Sequence, residues 1–354
     1  MNLNNIEQIT KLDKNELAKS ISLIPAQIKQ ILEDTREIKI PAEYKNIDQI
    51  VISGMGGSNL GPKIIKSVYS NEIKVPFSIN ADYQIPASVN KNTLFILSSY
   101  SGNTEEVLHT YKEAKKRKAK IMIVTAGGKL AEIIKKDNLP GYVFEDINNP
   151  SGQPRIGIGY SIACLLVLLS KAGVLKINKE GLKKTTDELE KESKKLKVGV
   201  NIQNNPAKKI AEQTHGKQVV LVGAEFLEGN IEAMRNQFCE NGKNFASYLI
   251  LPNLNHFAME GLADPSDNKE DIIFLFIDSD LYYDRIQKRG DLTKRVVKKN
   301  KIEVLSYKLK NKTKLEQALE LLQLGTWVTY YSGLLNERNP GTIYFVDWFK
   351  KQLK

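Results

Sequence analysis

Thr93-Leu94-Phe95-Ile96-Leu97-Ser98-Ser99-Tyr100-Ser101-Gly102-Asn103-Thr104 is the stretch that decides the fold: an apolar run fit for a buried strand passes directly into a loop of hydroxyls. From Glu105 to Lys118 the pattern becomes helical, with Val107, Leu108, Tyr111 and Ala114 on one side. Ile121-Met122-Ile123-Val124 is a second strand, closed by Ala126-Gly127-Gly128. Strand, turn, helix and strand at these lengths predict βαβ units, a parallel sheet and right-handed crossovers. Upstream, Gln49-Ile50-Val51-Ile52-Ser53 runs into Gly54-Met55-Gly56-Gly57-Ser58, which reads as a strand entering a glycine turn, with a helix from about Gly61.

The pattern restarts in the second half. Gln218-Val219-Val220-Leu221-Val222-Gly223 resembles residues 49–54, Ile272–Ile277 resembles 93–97, and Ile302-Glu303-Val304 resembles 121–124. Three matches in one order point to an internal duplication of an α/β domain. The expected organisation is a helical segment over 1–45, a first domain over 46–175, a Lys/Glu-rich connecting helix over 176–210 and a second domain over 211–354. The two copies differ after their second strand. The first presents Ser98-Ser99-Tyr100-Ser101, the second Asp278-Ser279-Asp280, so an anion suits the first and is repelled by the second.

A chain of 354 residues with 41% hydrophobic and 26% charged residues has room for two ordinary globular domains. Its net charge of +11 is spread over lysines that often stand beside Glu or Asp, as from Lys183 to Lys197, which reads as solvated helix faces. A diffuse positive field also speeds encounter with a phosphate dianion. No basic stripe with interleaved aromatics argues for nucleic acid. Cys164 and Cys239 stand in no CxxC or Cys/His cluster, which suits a reduced, cytoplasmic setting. The N-terminal MNLNNIEQITKLDKNE lacks the apolar core of a signal peptide, and the run from Ile156 to Leu169 is too short to span a bilayer. No membrane partner is expected.

In an open α/β sheet, ligands bind beyond the carboxyl ends of the strands, where helix N-termini offer free N–H groups to anions. Ser58, Ser99, Ser101 and Thr104 all fall at such ends, and each hydroxyl can donate to a phosphate oxygen. One Ser or Thr alone would be only a helix cap. The whole constellation, with the Gly56-Gly57-Ser58 turn as a second wall, points to a phosphate cradle. It holds no lysine and is not a nucleoside-triphosphate loop.

These segments resemble the sugar isomerase (SIS) domain family: SSYSGNTEE at 98–106 and GMGGSNLG at 54–61 are similar to its phosphate-binding segments. Pro154-Arg155 ahead of the apolar helix, Glu240-Asn241, Asn255-His256 and a lysine near the C-terminus narrow the resemblance to the bifunctional phosphoglucose/phosphomannose isomerases, over about residues 45–354. The resemblance implies two tandem flavodoxin-like SIS domains, each a parallel sheet flanked by helices, and no metal or organic cofactor. It implies that Gly57, Ser58, Ser99, Ser101 and Thr104 hold the substrate phosphate and that Arg155 lies near C1 and C2 of the sugar. Glu240 would be the base, His256 would open the ring and Lys350 would stand by the sugar oxygens, with Lys351 and Lys354 as neighbouring alternatives. It further implies a homodimer in which His256 reaches the partner subunit's site. Cys239 before the Glu and the tail at Asn339-Pro340-Gly341-Thr342 depart from the family pattern.

The implied reaction interconverts glucose 6-phosphate, and mannose 6-phosphate, with fructose 6-phosphate through a cis-enediol. One carboxylate over C1 and C2 can take the proton and return it, an imidazole can open the ring near neutral pH, and a fixed guanidinium stabilises the charge on the oxygens. Of the other histidines, His109 suits a solvated helix face and His215 a turn or cap. Three scattered His give no zinc-site spacing. The competing readings are an isomerase for another phosphosugar, such as a phosphoheptose or amino-sugar enzyme, and a non-catalytic SIS-domain regulator that senses phosphosugars.

Overall fold

A computed structural model describes residues 1–34 and 38–353. The chain divides into two units, one of residues 23–190 and one that combines 1–22 with 191–354. Two short helices, α1 (Ile6–Leu12) and α2 (Leu17–Ser22), belong to the latter.

Unit 23–190 is built on five parallel strands: β1 (Gln49–Gly54), β2 (Phe77–Asn80), β3 (Thr93–Ser98), β4 (Lys120–Thr125) and β5 (Gly141–Val143). Their order across the sheet is β2-β1-β3-β4-β5. Its helices are α3 (Ile24–Asp34), α4 (Leu60–Val68), α5 (Glu105–Lys116), α6 (Gly128–Asp137) and α7 (Ile158–Lys171), and α8 (Lys179–Ser193) carries the chain across the division. Side chains alternate along a strand. Val51, Phe95, Leu97, Ile121 and Ile123 pack with Val107, Tyr111 and Ala114 of α5 and Leu130 of α6. The alternate positions Ile50, Ile52, Leu94, Ile96 and Met122 are equally inaccessible. Burial on both faces is why these strands read as continuous apolar runs. Each such side chain contributes roughly 1.5–3 kcal/mol by leaving water.

The other unit repeats the plan with four parallel strands: β6 (Gln218–Ala224), β7 (Ala246–Leu251), β8 (Ile272–Asp278) and β9 (Glu303–Lys308), in the order β7-β6-β8-β9. The helices after α8 are α9 (Pro206–Thr214), α10 (Glu228–Glu240), α11 (Asn268–Asp271), α12 (Asp284–Lys299), α13 (Lys314–Leu335) and α14 (Tyr344–Gln352). α13 is buried along almost its whole length and packs against α9, α10 and α2. Gln323 donates to the Ile21 carbonyl, Tyr330 to Asp13, and Lys208 to the carbonyls of Leu3, Val198 and Val200, which ties residues 1–22 to this unit.

The fold is therefore α/β with two parallel sheets flanked by helices, and β1, β3, β4 find their counterparts in β6, β8, β9. In each sheet the second strand joins one side of the first and the third strand the other. The strand ends therefore part at β1/β3 and at β6/β8, the places where such sheets form crevices. Among the described residues no helix is long and apolar enough to cross a membrane.

Candidate active site

Ser58 and the 98–104 loop stand together at the β1/β3 crevice. Ser98 Oγ donates to the Ser58 carbonyl at 3.0 Å, and the Tyr100 amide donates to Ser58 Oγ at 3.0 Å. Ser99 Oγ and Thr104 Oγ1 lie 2.8 Å apart, and the Gly102 amide donates to Ser99 Oγ at 3.1 Å. Ser101 is exposed, and its hydroxyl accepts from the Asn103 amide at 3.3 Å. Thr104 occupies the N-cap position of α5 but makes no capping bond; its hydroxyl is turned to Ser99 instead. Four hydroxyls stand beside the free N–H end of a helix, groups able to donate to an anion, with Glu105 and Glu106 in the first turn of that helix.

The loop is held rigidly. Leu130 donates to the Gly102 carbonyl and Lys129 to Asn103 Oδ1, so the β4–α6 turn braces it. Gly102 has φ +66°, and a Cβ there would collide with the Gly127 carbonyl, which leaves glycine as the residue that fits. Gly57 serves by close approach: a Cβ would come within 2.6 Å of the Arg155 nitrogen. The glycine turn thus lies directly on the Pro154-Arg155 backbone.

Arg155 is 1% exposed, and its Nη1 donates to Gln153 Oε1 at 2.6 Å. Tyr100 links this segment to the hydroxyl loop. Its phenol donates to Asp146 at 2.9 Å and accepts from Asn149 Nδ2 at 2.8 Å, while Asn149 also donates to the Gln153 carbonyl. Burial pushes the Tyr100 phenol well above its usual range, so it stays a neutral donor. Tyr100, Asn149 and Gln153 were not singled out as functional from sequence, since a tyrosine within a hydroxyl loop gives no sign of where its ring turns. Ser161, near the start of α7, was also unforeseen. It lines a small cavity with Gly57, Ser58, Tyr100 and Pro154, and its buried Oγ has no hydrogen-bond partner among the described residues.

In the other unit, Glu240 is the last residue of α10 and is half-buried. Asn241 behind it is fully buried, its amide on the Gln237 carbonyl at 2.7 Å and its Nδ2 on Thr329 Oγ1 at 3.3 Å. α13 therefore fixes the end of α10. Lys243 donates to the carbonyls of both Glu240 and Thr342. His256 ends a helical turn, Asn253–His256, on an exposed loop. Leu254 anchors that loop by burial, and Asn255 anchors it by donating to Thr293 at 2.7 Å. Among the described residues the His256 imidazole makes no hydrogen bond. Lys350 and Lys351 lie exposed on α14, and Lys354 lies outside the described residues. The structure thus brings Gly57, Ser58, Ser99, Ser101, Thr104 and the Arg155 segment into one assembly, while Glu240, His256 and Lys350 stand on three different elements of the other unit, α10, the turn Asn253–His256 and α14.

The β6/β8 crevice has a different chemistry, as its sequence led one to expect. It is a cavity of about 200 Å³ bearing Asp278 and Asp280. Lys294 pairs with Asp278 at 2.7 Å and Lys308 with Asp280 at 2.8 Å, so lysines largely offset the carboxylates. Tyr282 closes the place where the first copy has its hydroxyls, accepting from the Ala224 amide and donating to the Ile277 carbonyl. His215 is the C-cap residue of α9, the turn role expected of it. Among the described residues, no three His, Cys, Asp or Glu side chains form a metal-ligand cluster.

Known proteins give a consistent comparison. Residues 203–353 match the family described as the bacterial phospho-glucose isomerase C-terminal SIS domain. The chain is 32% identical to the bifunctional phosphoglucose/phosphomannose isomerase of Caldicellulosiruptor bescii, covering 94% of this chain and 98% of that relative. Among solved structures it is similar to a hypothetical protein of Thermus thermophilus, with TM-score 0.73, 15% identity and coverage of 98% and 92%. It is also similar to tagatose-6-phosphate ketose/aldose isomerase of Escherichia coli, with TM-score 0.66, 16% identity and coverage of 95% and 94%. At those identities the structural likeness is one of fold.

Proposed function

The chain belongs to the bifunctional phosphoglucose/phosphomannose isomerase family, and we propose that it interconverts glucose 6-phosphate and mannose 6-phosphate with fructose 6-phosphate without a metal or organic cofactor. The observation that carries this reading is the braced cluster of Ser58, Ser99, Ser101 and Thr104 hydroxyls at the start of α5, a seat rich in hydrogen-bond donors. It suits the dianion of a sugar phosphate.

In this reading His256 takes the C1 hydroxyl proton and returns one to the ring oxygen, opening the ring. Glu240 then removes the proton from C2 of the aldose. The electron pair forms the C1–C2 double bond of the enediol, and the C1 carbonyl oxygen becomes a hydroxyl. The C2 hydroxyl gives up a proton, balancing the one taken up by the C1 oxygen, while Glu240 returns its proton to C1; C2 becomes the carbonyl of the ketose and the carboxylate is restored within each turnover. Arg155, fixed by Gln153 and by the Gly57 backbone, stabilises charge on the C1 and C2 oxygens, with Lys350 assisting. Glucose and mannose 6-phosphates lead to the same enediol, so use of both epimers needs no additional acid or base.

The dimer is part of the proposal. His256 is exposed beside Phe257 (58% exposed), and α14 exposes Tyr344, Phe345, Trp348 and Phe349. Apolar side chains grouped in this way suit coverage by a second copy, with His256 serving that copy's site. A cytoplasmic setting accords with two free cysteines, of which Cys164 is buried.

The deciding experiment incubates purified protein with fructose 6-phosphate and EDTA and follows both aldose phosphates. Formation of glucose 6-phosphate and mannose 6-phosphate is expected. Binding of the ketose phosphate without turnover would instead establish a phosphosugar-sensing regulator.

A further inference from the structure

Lys243 stands three residues after Glu240 with φ +52°, a left-handed backbone conformation that glycine adopts freely and a lysine does not. Six other non-glycine residues among those described share a positive φ, Lys118 and Lys301 among them, so the conformation alone assigns no role and what the Lys243 side chain touches decides it. Two backbone carbonyls are among the acceptors of that side chain. Its Nζ donates to the carbonyl of Glu240, at the end of α10, and to the carbonyl of Thr342. The last carbonyls of a helix have no intrahelical donor, so an ammonium there both satisfies the group and complements the helix dipole.

The second acceptor makes this more than a helix cap. Thr342 immediately precedes Ile343, the N-cap residue of α14, the helix that bears Lys350. The chain leading to it is anchored in turn. Asn339 donates to Asn15 Oδ1, the Gly341 amide donates to Asn339 Oδ1, and Thr342 Oγ1 donates to the Asn339 carbonyl. Just before Lys243, the Gly242 carbonyl accepts from Asn336 at 2.8 Å. Lys243 is thus a cross-tie between the end of α10 and the root of α14.

We infer that Lys243 is a positioning residue for the isomerisation: it fixes the end of α10 so that the Glu240 carboxylate keeps its aim, and it ties that end to the root of the helix carrying Lys350. This inference rests on the reading of Glu240 as the base.

The test compares Lys243→Gly, Lys243→Met and Lys243→Arg with wild type and with Glu240→Gln, using fructose 6-phosphate kinetics and thermal unfolding. Lys243→Gly removes the ammonium while relaxing the backbone, so Tm should hold or rise as kcat falls about tenfold or more. KM should change less than about twofold, because the phosphate contacts lie in the 98–104 loop. Lys243→Met should lose kcat similarly, and Lys243→Arg should recover most of it. Wild-type kcat in Lys243→Gly alongside an inactive Glu240→Gln would overturn this inference and leave the base assignment standing. Parallel loss of Tm and kcat with no recovery in Lys243→Arg would reduce Lys243 to a structural cap and also overturn it. An active Glu240→Gln would overturn the base assignment and this inference together.

Discussion

Gly57→Ala puts the contact between the glycine turn and Arg155 to a direct test. The backbone at Gly57 does not have positive φ, so alanine brings no left-handed strain there; the whole effect comes from space. An added Cβ would meet the Arg155 nitrogen at 2.6 Å, the Pro154 carbonyl carbon at 2.9 Å and the Arg155 Cα at 3.0 Å, all main-chain atoms that no rotamer change can move aside. Ordinary contact begins near 3.4 Å, so one segment must give way by about 0.8 Å. Overpacking of this kind costs about 1–3 kcal/mol. At about 2–4 °C per kcal/mol for a unit of this size, Tm should fall by roughly 2–12 °C. A displacement near 1 Å at a reacting centre costs about 100-fold in rate, so kcat for fructose 6-phosphate should fall between about 10-fold and 100-fold. Gly56→Ala is the control. Its Cβ meets nothing within 4 Å, but φ is +51°, so it should lose about 1–2 kcal/mol of stability from backbone strain with a much smaller loss of kcat. The assay pairs calorimetry with coupled-enzyme kinetics. A Gly57→Ala protein with unchanged Tm and kcat within twofold of wild type would refute the claim that this contact sets the position of Arg155.

Thr104→Val removes one hydroxyl from the proposed phosphate seat and the partner of Ser99 Oγ; a loss of about 1 kcal/mol should appear as a roughly fivefold rise in KM for phosphorylated sugars, and an unaltered KM would count against the loop. His256→Ala should leave Tm unchanged, because the imidazole is exposed, and should impair ring-closed substrate far more than an open-chain analogue; equal impairment of both would remove His256 from ring opening. Lys208 carries a pH signature: burial lowers its pKa from 10.5 to about 8. The unfolded chain therefore binds more protons than the native state across that interval, so stability should rise with pH between about 8 and 10.5 relative to Lys208→Met. Parallel stability–pH curves for the two proteins would contradict this. Lys208→Met itself strands three carbonyls, those of Leu3, Val198 and Val200, and should unfold more readily by about 1–3 kcal/mol in denaturant titration.

Much of the architecture was legible because it rests on local pattern. β1, β3, β4, β6 and β8 are apolar runs bounded by turns, and the hydroxyl loop sits where a strand ends and a helix begins. Other elements gave weak signals. β2 has four residues and β5 only three, and both are mostly half-buried. α13 is buried on all sides, so it lacks the one-sided periodicity that marks a surface helix. The grouping of residues 1–22 with 191–354 had no local sign at all. It depends on partners such as Asp13 with Tyr330 and Ile21 with Gln323, about 300 positions apart in sequence.

By itself the sequence determined the parallel α/β plan, its duplication and the hydroxyl-rich cradle, because strand burial, helix periodicity and turn chemistry are written in residues close together in the chain. Only the tertiary structure decided that Tyr100 and Gln153 hold the Arg155 segment, that Tyr282 closes the second crevice, and that Lys243 ties the end of α10 to the root of α14. Those arrangements are hydrogen bonds whose partners become neighbours through the packing of the whole unit. Distance and direction govern such bonds, and neither is encoded in any short stretch of residues.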